Sequence, residues 1–180
     1  MPTPCARALD VGCGEGSFAR RLAALAEHVD GIERSDRVVA AARVRSQGFE
    51  NLRFIHGDFL EHAFEPESYD FITALASLHH MPFARAIERM KALLRPRGVL
   101  GVVGLFREEN LTDLALSALA WPVRQFHRVT QPTAEPMNAP IRAPSMSWRE
   151  IREQTAELLP GSRVRRRLLW RYTLIWTRPG

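Results

Sequence analysis

The chain has 180 residues, 46% of them apolar and 25% charged, and a formal net charge of +5. This is one compact domain with a sizeable core, residues 1–180, and neither a disordered nor a fibrous composition. No apolar run reaches the roughly 18–20 residues of a membrane span, so no membrane partner is expected, and "MPTPCARALDVG" lacks the layout of a secretory leader.

Taken in chain order, "RALDV" (7–11) is a strand and "SFARRLAALAEH" (17–28) a helix, with Phe18, Leu22 and Leu25 at helical spacing. "VDGIE" (29–33) is a second strand. "DRVVAAARVRSQ" (36–47) is a helix stopped by Gly48. "LRFIHG" (52–57) and "YDFITAL" (69–75) are the third and fourth strands. "FARAIERMKALL" (83–94) is a helix with Pro82 at its first turn and "RPRG" at its end. "VLGVVGLF" (99–106) is a fifth strand, almost wholly apolar. Strands alternating with helices predict a parallel sheet covered on both faces.

The pattern then changes. "NLTDLALSALAWPVRQFHRV" (110–129) is helical with a break at Pro122, and Pro132, Pro136, Pro140 and Pro144 follow at intervals of four. Prolines so placed predict an extended loop, and a loop this long is usually functional. Residues 107–147 are thus an inserted helix plus a proline-rich loop, expected to cover an acceptor site. "SWRE" (147–150) is a capping box opening a helix to about Leu159. "SRVRRRLLW" and "RYTLIWTRP" are two strand-like runs with too little between them for a crossover, so they pair as an antiparallel hairpin.

Cys5 and Cys13 are the only cysteines. They form no metal-binding pattern, no metal is expected, and they fit a reducing cytoplasm. Of the 25 basic residues only Lys91 is a lysine, and the last eighteen residues hold six arginines and no acid. Such a run is compatible with a nucleic-acid partner or with an arginine-rich solvated surface.

Between the first strand and helix lies "DVGCGEG", a glycine turn that lets backbone approach a ligand closely. A phosphate-binding P-loop needs a lysine after its glycines, and none is present. A dinucleotide turn needs G-x-G-x-x-G; here the third glycine, Gly16, comes one residue early. Asp10 just before the turn and Glu15 within it would repel a pyrophosphate. A cation is favoured instead. S-adenosylmethionine carries a sulfonium, an ammonium suited to Asp10, and a carboxylate suited to the helix N-terminus. Glu33 ends the second strand 23 residues after Asp10, where an acid can accept from both ribose hydroxyls. Asp58 ends the third strand, where a carboxylate can accept from an adenine amino group, and Phe59 adds backbone and an apolar ring.

The set "LDVGCGEG", "GIERS", "HGDFLE", "YDFITALASLHHM" and "LLRPRGVLGVVG", spanning about Ala6 to Phe106, resembles the motifs of class I S-adenosylmethionine-dependent methyltransferases, of the small-molecule, type 11-like kind related to ubiquinone and menaquinone biosynthesis enzymes. The resemblance implies an α/β, doubly wound, Rossmann-like seven-stranded sheet in the order 3-2-1-4-5-7-6 with strand 7 antiparallel. It implies cofactor contacts from Asp10, Gly12, Gly14, Glu33, Arg34, Asp58 and Phe59, and from the backbone at Ala74 and Leu75. Members of that family usually carry one or two helices before the first strand. Here that strand begins about six residues in, which implies a more open site, a cover from a partner subunit such as a homodimer mate, or a longer native N-terminus.

Methyl transfer needs a nucleophile aligned with the methyl group, and an OH or NH acceptor gains from a general base. His79 and His80 follow the fourth strand and are the candidate catalytic residues. His127 and Tyr172 are weaker ones, and Trp121, Phe126 and Met137 are candidate pocket walls. The expected acceptor is a small molecule. Two alternatives stay open: an RNA methyltransferase, suggested by Arg163, Arg165 and Arg167 on one strand face, and an NAD-dependent oxidoreductase, disfavoured by the glycine spacing and Asp10.

Overall fold

A computed structural model of the chain describes residues 1–107, 143–168 and 170–180. The expected helix within 110–129, Pro132, Pro136, Pro140, and the candidates Trp121, Phe126, His127 and Met137 lie outside the described residues.

Seven strands form one sheet: β1 (Arg7–Val11), β2 (His28–Glu33), β3 (Leu52–His56), β4 (Tyr69–Leu75), β5 (Leu94–Leu105), β6 (Arg163–Arg166) and β7 (Arg171–Thr177). Their order is β3-β2-β1-β4-β5-β7-β6. β1 pairs parallel with β2 and β4, β2 with β3, and β4 with β5, while β7 runs antiparallel to both β5 and β6. This is the expected topology, and it has a physical cause. Each of the first five strands is followed by a crossover long enough to return the chain to the same end of the sheet. The run from β6 to β7 is not.

Helices α1 (Ser17–Ala23), α2 (Asp36–Arg45), α3 (Phe83–Leu93) and α4 (Trp148–Leu158) cover two faces. On one face Ala19, Leu22 and Ala23 of α1 and Val39 and Ala42 of α2 pack on Ala8, Val29, Phe54 and Phe71. On the other, Ala86, Ile87, Met90 and Leu93 of α3 and Ile151 of α4 pack on Ile72, Leu100, Tyr172, Leu174 and Trp176. Ile87 and Met90 have no exposed surface, and burial of each contributes about 2 kcal/mol. The capping box of α4 is present as expected: Ser147 Oγ accepts from the Glu150 amide at 3.3 Å, and the Ser147 amide donates to Glu150 Oε2 at 2.8 Å.

Three element ends differ from expectation. α1 stops at Ala23, five residues early, because His28 and Val29 are drawn into pairing with Arg7 and Ala8. Leu25 therefore lies in the turn, 67% exposed, not on the buried helix face. β5 begins five residues early: Leu94 pairs with Tyr69 and Val99 with Phe71, so "RPRG" is a bulged entry to the strand, with Arg97 at φ 65°. Pro82 is the N-cap of α3, just ahead of its first turn.

At the amino-terminal edge of the strands lies a polar clamp that sequence patterning did not disclose. Asp30, nearly buried, accepts from Tyr69 Oη at 2.7 Å, Arg53 Nε at 2.8 Å and Arg7 Nη2 at 3.0 Å. Burial pulls its carboxyl upward, but the hydrogen bonds from Arg53 and Tyr69 outweigh this and hold it below the usual carboxylate range. The clamp leaves the opposite, carboxyl-terminal edge for a ligand.

Candidate functional site

The chain runs from β1 outward to β2 and β3, then crosses back to β4 on the other side of β1. Between β1 and β4 the strand order reverses, and ligands of open α/β sheets bind at that crevice, beyond the strand carboxyl ends. The β1–β4 ladder ends at Asp10 opposite Thr73, so the two strands part at Val11 and Ala74. The glycine turn fills one lip of the opening and the segment from Ala76 to His80 the other.

The turn is held tightly. Amides of Gly12 and Cys13 both donate to the Ile32 carbonyl, at 2.9 and 3.1 Å. Gly12, Gly14 and Gly16 have φ of 68°, 52° and 78°, a region closed to most residues with a side chain. Gly12 is also needed for space: a Cβ there would lie 2.3 Å from Ser77 Cβ. Ser77 Oγ donates to the Val11 carbonyl at 2.5 Å and so ties the two lips together. Ser77 was not among the sequence candidates, because nothing in a lone serine after a strand signals a contact 66 residues away.

Asp10 is the last residue but one of β1, 2% exposed. Burial alone pushes its carboxyl up to about 7. A carboxylate in that condition is stabilised by any cation that reaches it. Glu33, half-buried at the end of β2, accepts from the Gly14 amide at 3.3 Å through Oε2 and from the Ser35 amide at 3.0 Å through Oε1. Each oxygen keeps a second lone pair for a diol. The negative field at the turn registers on Cys13, whose thiol is pushed far up by burial and then by Asp10 and Glu33.

Several sequence candidates are placed differently from expectation. Glu15 is ion-paired with Arg45, so its charge is compensated and the sign of the site rests on Asp10 and Glu33. α1 has seven residues, too short for a strong dipole at its N-terminus. Asp58 Oδ1 accepts from the Leu60 amide at 2.8 Å in a local turn, so this carboxylate already has a structural role. Phe59 is 4% exposed, with its ring in the core beside Phe64 and Arg89, and its carbonyl accepts from Arg89 Nε at 2.7 Å. The apolar ring expected to meet adenine is thus core, and that contact falls to backbone. Arg34 is exposed; its carbonyl lies 3.2 Å from His56 Nε2. The Ala74 side chain is fully buried and Leu75 half-buried, so both can contribute only backbone.

His79 and His80 form a short 3₁₀ turn, Leu78–His80, two residues beyond the Ser77 contact. Their rings are in contact, with centroids 4.0 Å apart and planes tilted by 40°. Burial, and then the neighbouring His80, hold His79 below the ordinary histidine value, so its ring is neutral at physiological pH. His79 Nδ1 is buried with no hydrogen-bond partner among the described residues. Tyr172 is no site residue: its ring is buried over Gly104 on the α3 side of the sheet, and burial pushes its phenol far up.

The residues present fit a cofactor such as S-adenosylmethionine. A buried carboxylate lacking compensation, a second one with lone pairs to spare, and a turn whose three glycines have positive φ suit an ammonium-bearing nucleoside and repel a diphosphate. Among the described residues no group of acids, histidines and cysteines could hold a metal.

Comparison with known proteins is consistent with this geometry. The family described as a methyltransferase domain matches residues 8–98. An uncharacterized methyltransferase of Mycobacterium tuberculosis is 31% identical over 175 residues, spanning 95% of this chain and 86% of the relative. A demethylmenaquinone methyltransferase of Staphylococcus aureus is 31% identical over 98 residues, but these span only 52% of this chain and 41% of that protein. Among solved structures, a SAM-dependent methyltransferase from Methanosarcina mazei superposes with a TM-score of 0.69 at 18% identity, over 99% of this chain and 94% of that one.

Proposed function

The chain belongs to the class I S-adenosylmethionine-dependent methyltransferases, and from that premise we propose that it binds S-adenosylmethionine at the β1–β4 crevice and methylates a small organic molecule. Family membership removes the ground for an NAD-dependent oxidoreductase. The observation that carries the cofactor assignment is Asp10, a carboxylate raised to about 7 by burial alone at the mouth of a glycine turn.

When bound, the cofactor supplies a methyl group activated on a sulfonium. The protein's own residues do the rest. Asp10 takes the ammonium, and its ionised form is restored by that charge. Glu33 accepts from the ribose hydroxyls, Asp58 from the adenine amino group, and the Gly12–Gly14 backbone lets the ligand lie close. Arg34 and the backbone at Phe59, Ala74 and Leu75 would complete the cofactor contacts. His79, whose ring is neutral, would accept a proton from an OH or NH acceptor, with the His80 ring packed against it. The proximity of the demethylmenaquinone enzyme in sequence supports a small cyclic acceptor over a nucleic acid.

The test is formation of S-adenosylhomocysteine by purified protein offered quinol-type, phenolic and RNA acceptors. Turnover with a small molecule, lost in Glu33→Ala, supports the reading. Turnover with RNA alone contradicts it.

A further inference from the structure

We propose that Ser77 is a positioning residue, which couples the glycine turn to the short turn that carries His79, so that the two lips of the crevice keep one alignment. The role rests on the methyltransferase reading above and adds a member to its machinery. Three contacts meet at this residue. Ser77 is buried, and its hydroxyl donates to the carbonyl of Val11, the last residue of β1. Its Cβ fills the space beside Gly12, where a second Cβ has no room. Its carbonyl accepts from the His80 amide at 3.0 Å, so the same residue heads the 3₁₀ turn Leu78–His80.

The backbone just before Ser77 is strained. Ala76 has φ 52°, a left-handed conformation that is costly for alanine and easy for glycine. Ala76 is exposed, so core packing does not require its methyl group. Its amide donates to the Val103 carbonyl at 2.7 Å, which holds the conformation in place. β4 has ended at Leu75, and the left-handed residue breaks the extended path and turns the chain so that Ser77 meets β1. Strain of this kind persists only where the surroundings hold it, and it gathers at sites where groups must be aimed.

Helix capping does not account for the serine. Its hydroxyl makes no hydrogen bond within its own 3₁₀ turn and reaches instead a strand 66 residues earlier. Leu78, next in the chain, is buried in the core, so His79 follows two fixed residues. Packed interiors pass a displacement on, because side chains have few voids to move into. A shift of Gly12 therefore reaches the His79 turn through Ser77. Loss of the hydroxyl leaves the glycine turn with its own support, the Gly12 and Cys13 amides on the Ile32 carbonyl, and releases the histidine lip.

The test separates alignment from stability, and its first arm needs neither cofactor nor acceptor. The His79 ring signals, assigned by their loss in His79→Gln, are followed by NMR through a pH titration of the full chain. In the wild type His79 titrates below the ordinary histidine value, through burial and then His80. In Ser77→Ala, with circular dichroism unchanged, that titration is expected to move up toward the ordinary value. Ala76→Gly keeps the fold, because glycine accepts φ 52°, and should move it the same way by less. In turnover, Ser77→Ala should lower kcat about tenfold and change the KM for S-adenosylmethionine less than about threefold. Added to His79→Gln it should cost no further activity, since residues that act as a unit are not additive. A His79 titration unmoved in both variants overturns the role, whatever the acceptor. So does an equal loss of kcat with and without His79. A wild type that binds no S-adenosylmethionine in calorimetry overturns the functional reading and the role with it.

Discussion

Gly12 and Ser77 are mutually exclusive in volume: the hydrogen on Gly12 that a side chain would replace points at Ser77 Cβ, and a Cβ there would be 2.3 Å away. Gly12→Ala is therefore expected to destabilise the protein by roughly 2–4 kcal/mol, through overpacking and a φ of 68° that alanine disfavours. Adding Ser77→Gly relieves the overlap but not the backbone strain. The double variant should recover part of the stability in urea unfolding. Full recovery would mean the conformation at Gly12 carries no strain.

Asp10 makes stability and ligand binding oppose each other. Its carboxyl sits at about 7 in the folded protein against 3.8 ordinarily. The folded apoprotein thus holds the proton more tightly than the unfolded chain. That stabilisation is complete below the ordinary value and is lost as pH rises through about 7, up to roughly 4 kcal/mol. Asp10→Asn should unfold at higher urea than the wild type above pH 7 and show little gain in acid. The same variant should bind S-adenosylmethionine at least tenfold more weakly. Unchanged stability at both pH values would remove the buried-carboxylate assignment.

His79 is expected to act in the chemical step and not in binding. His79→Gln should lower kcat by about 10²–10⁴-fold, the usual range for a lost general base, with the KM for cofactor little changed. In the wild type, kcat should fall on the acid side with an apparent pKa below the ordinary histidine value, because burial and His80 disfavour the charged ring. The variant should lose that limb. An acid limb that survives His79→Gln would place the base elsewhere.

At the far edge of the sheet, Tyr69→Phe removes one of three hydrogen bonds to Asp30 and should cost about 1 kcal/mol. Asp30→Asn leaves Arg7 and Arg53 without their shared anion and should cost roughly 2–3 kcal/mol. Because Asp30 is depressed in the folded state, its contribution is present above the ordinary carboxylate value and is lost as pH falls through the depressed one. Neither change should affect cofactor affinity. A large loss of affinity would show that the two edges of the sheet are coupled.

The residues that could be read from sequence are those whose signal is local. The parallel sheet and the final antiparallel hairpin followed from crossover lengths, the strand order came with the family resemblance, and the places of Asp10 and Glu33 at successive strand ends were read from the strand pattern. The capping box at Ser147 and Glu150 needed only a four-residue window. Pairings between distant residues were not legible. Nothing near Glu15 announces Arg45, and nothing near Gly12 announces Ser77. Phe59 follows an aspartate at a strand end and so read as a site residue, but ring direction is settled by Phe64 and Arg89. The early end of α1 was hidden for the same reason: "AALAEH" has helical propensity, and the sheet overrides it at His28.

The sign of charge at the glycine turn is tested most directly by calorimetric titration of the wild type and Asp10→Asn with S-adenosylmethionine, S-adenosylhomocysteine and NAD. The wild type should bind both sulfur nucleosides and show no comparable affinity for NAD, and Asp10→Asn should lose affinity for the ammonium-bearing pair. Tighter binding of NAD, or equal binding of S-adenosylmethionine by both proteins, would contradict the assignment.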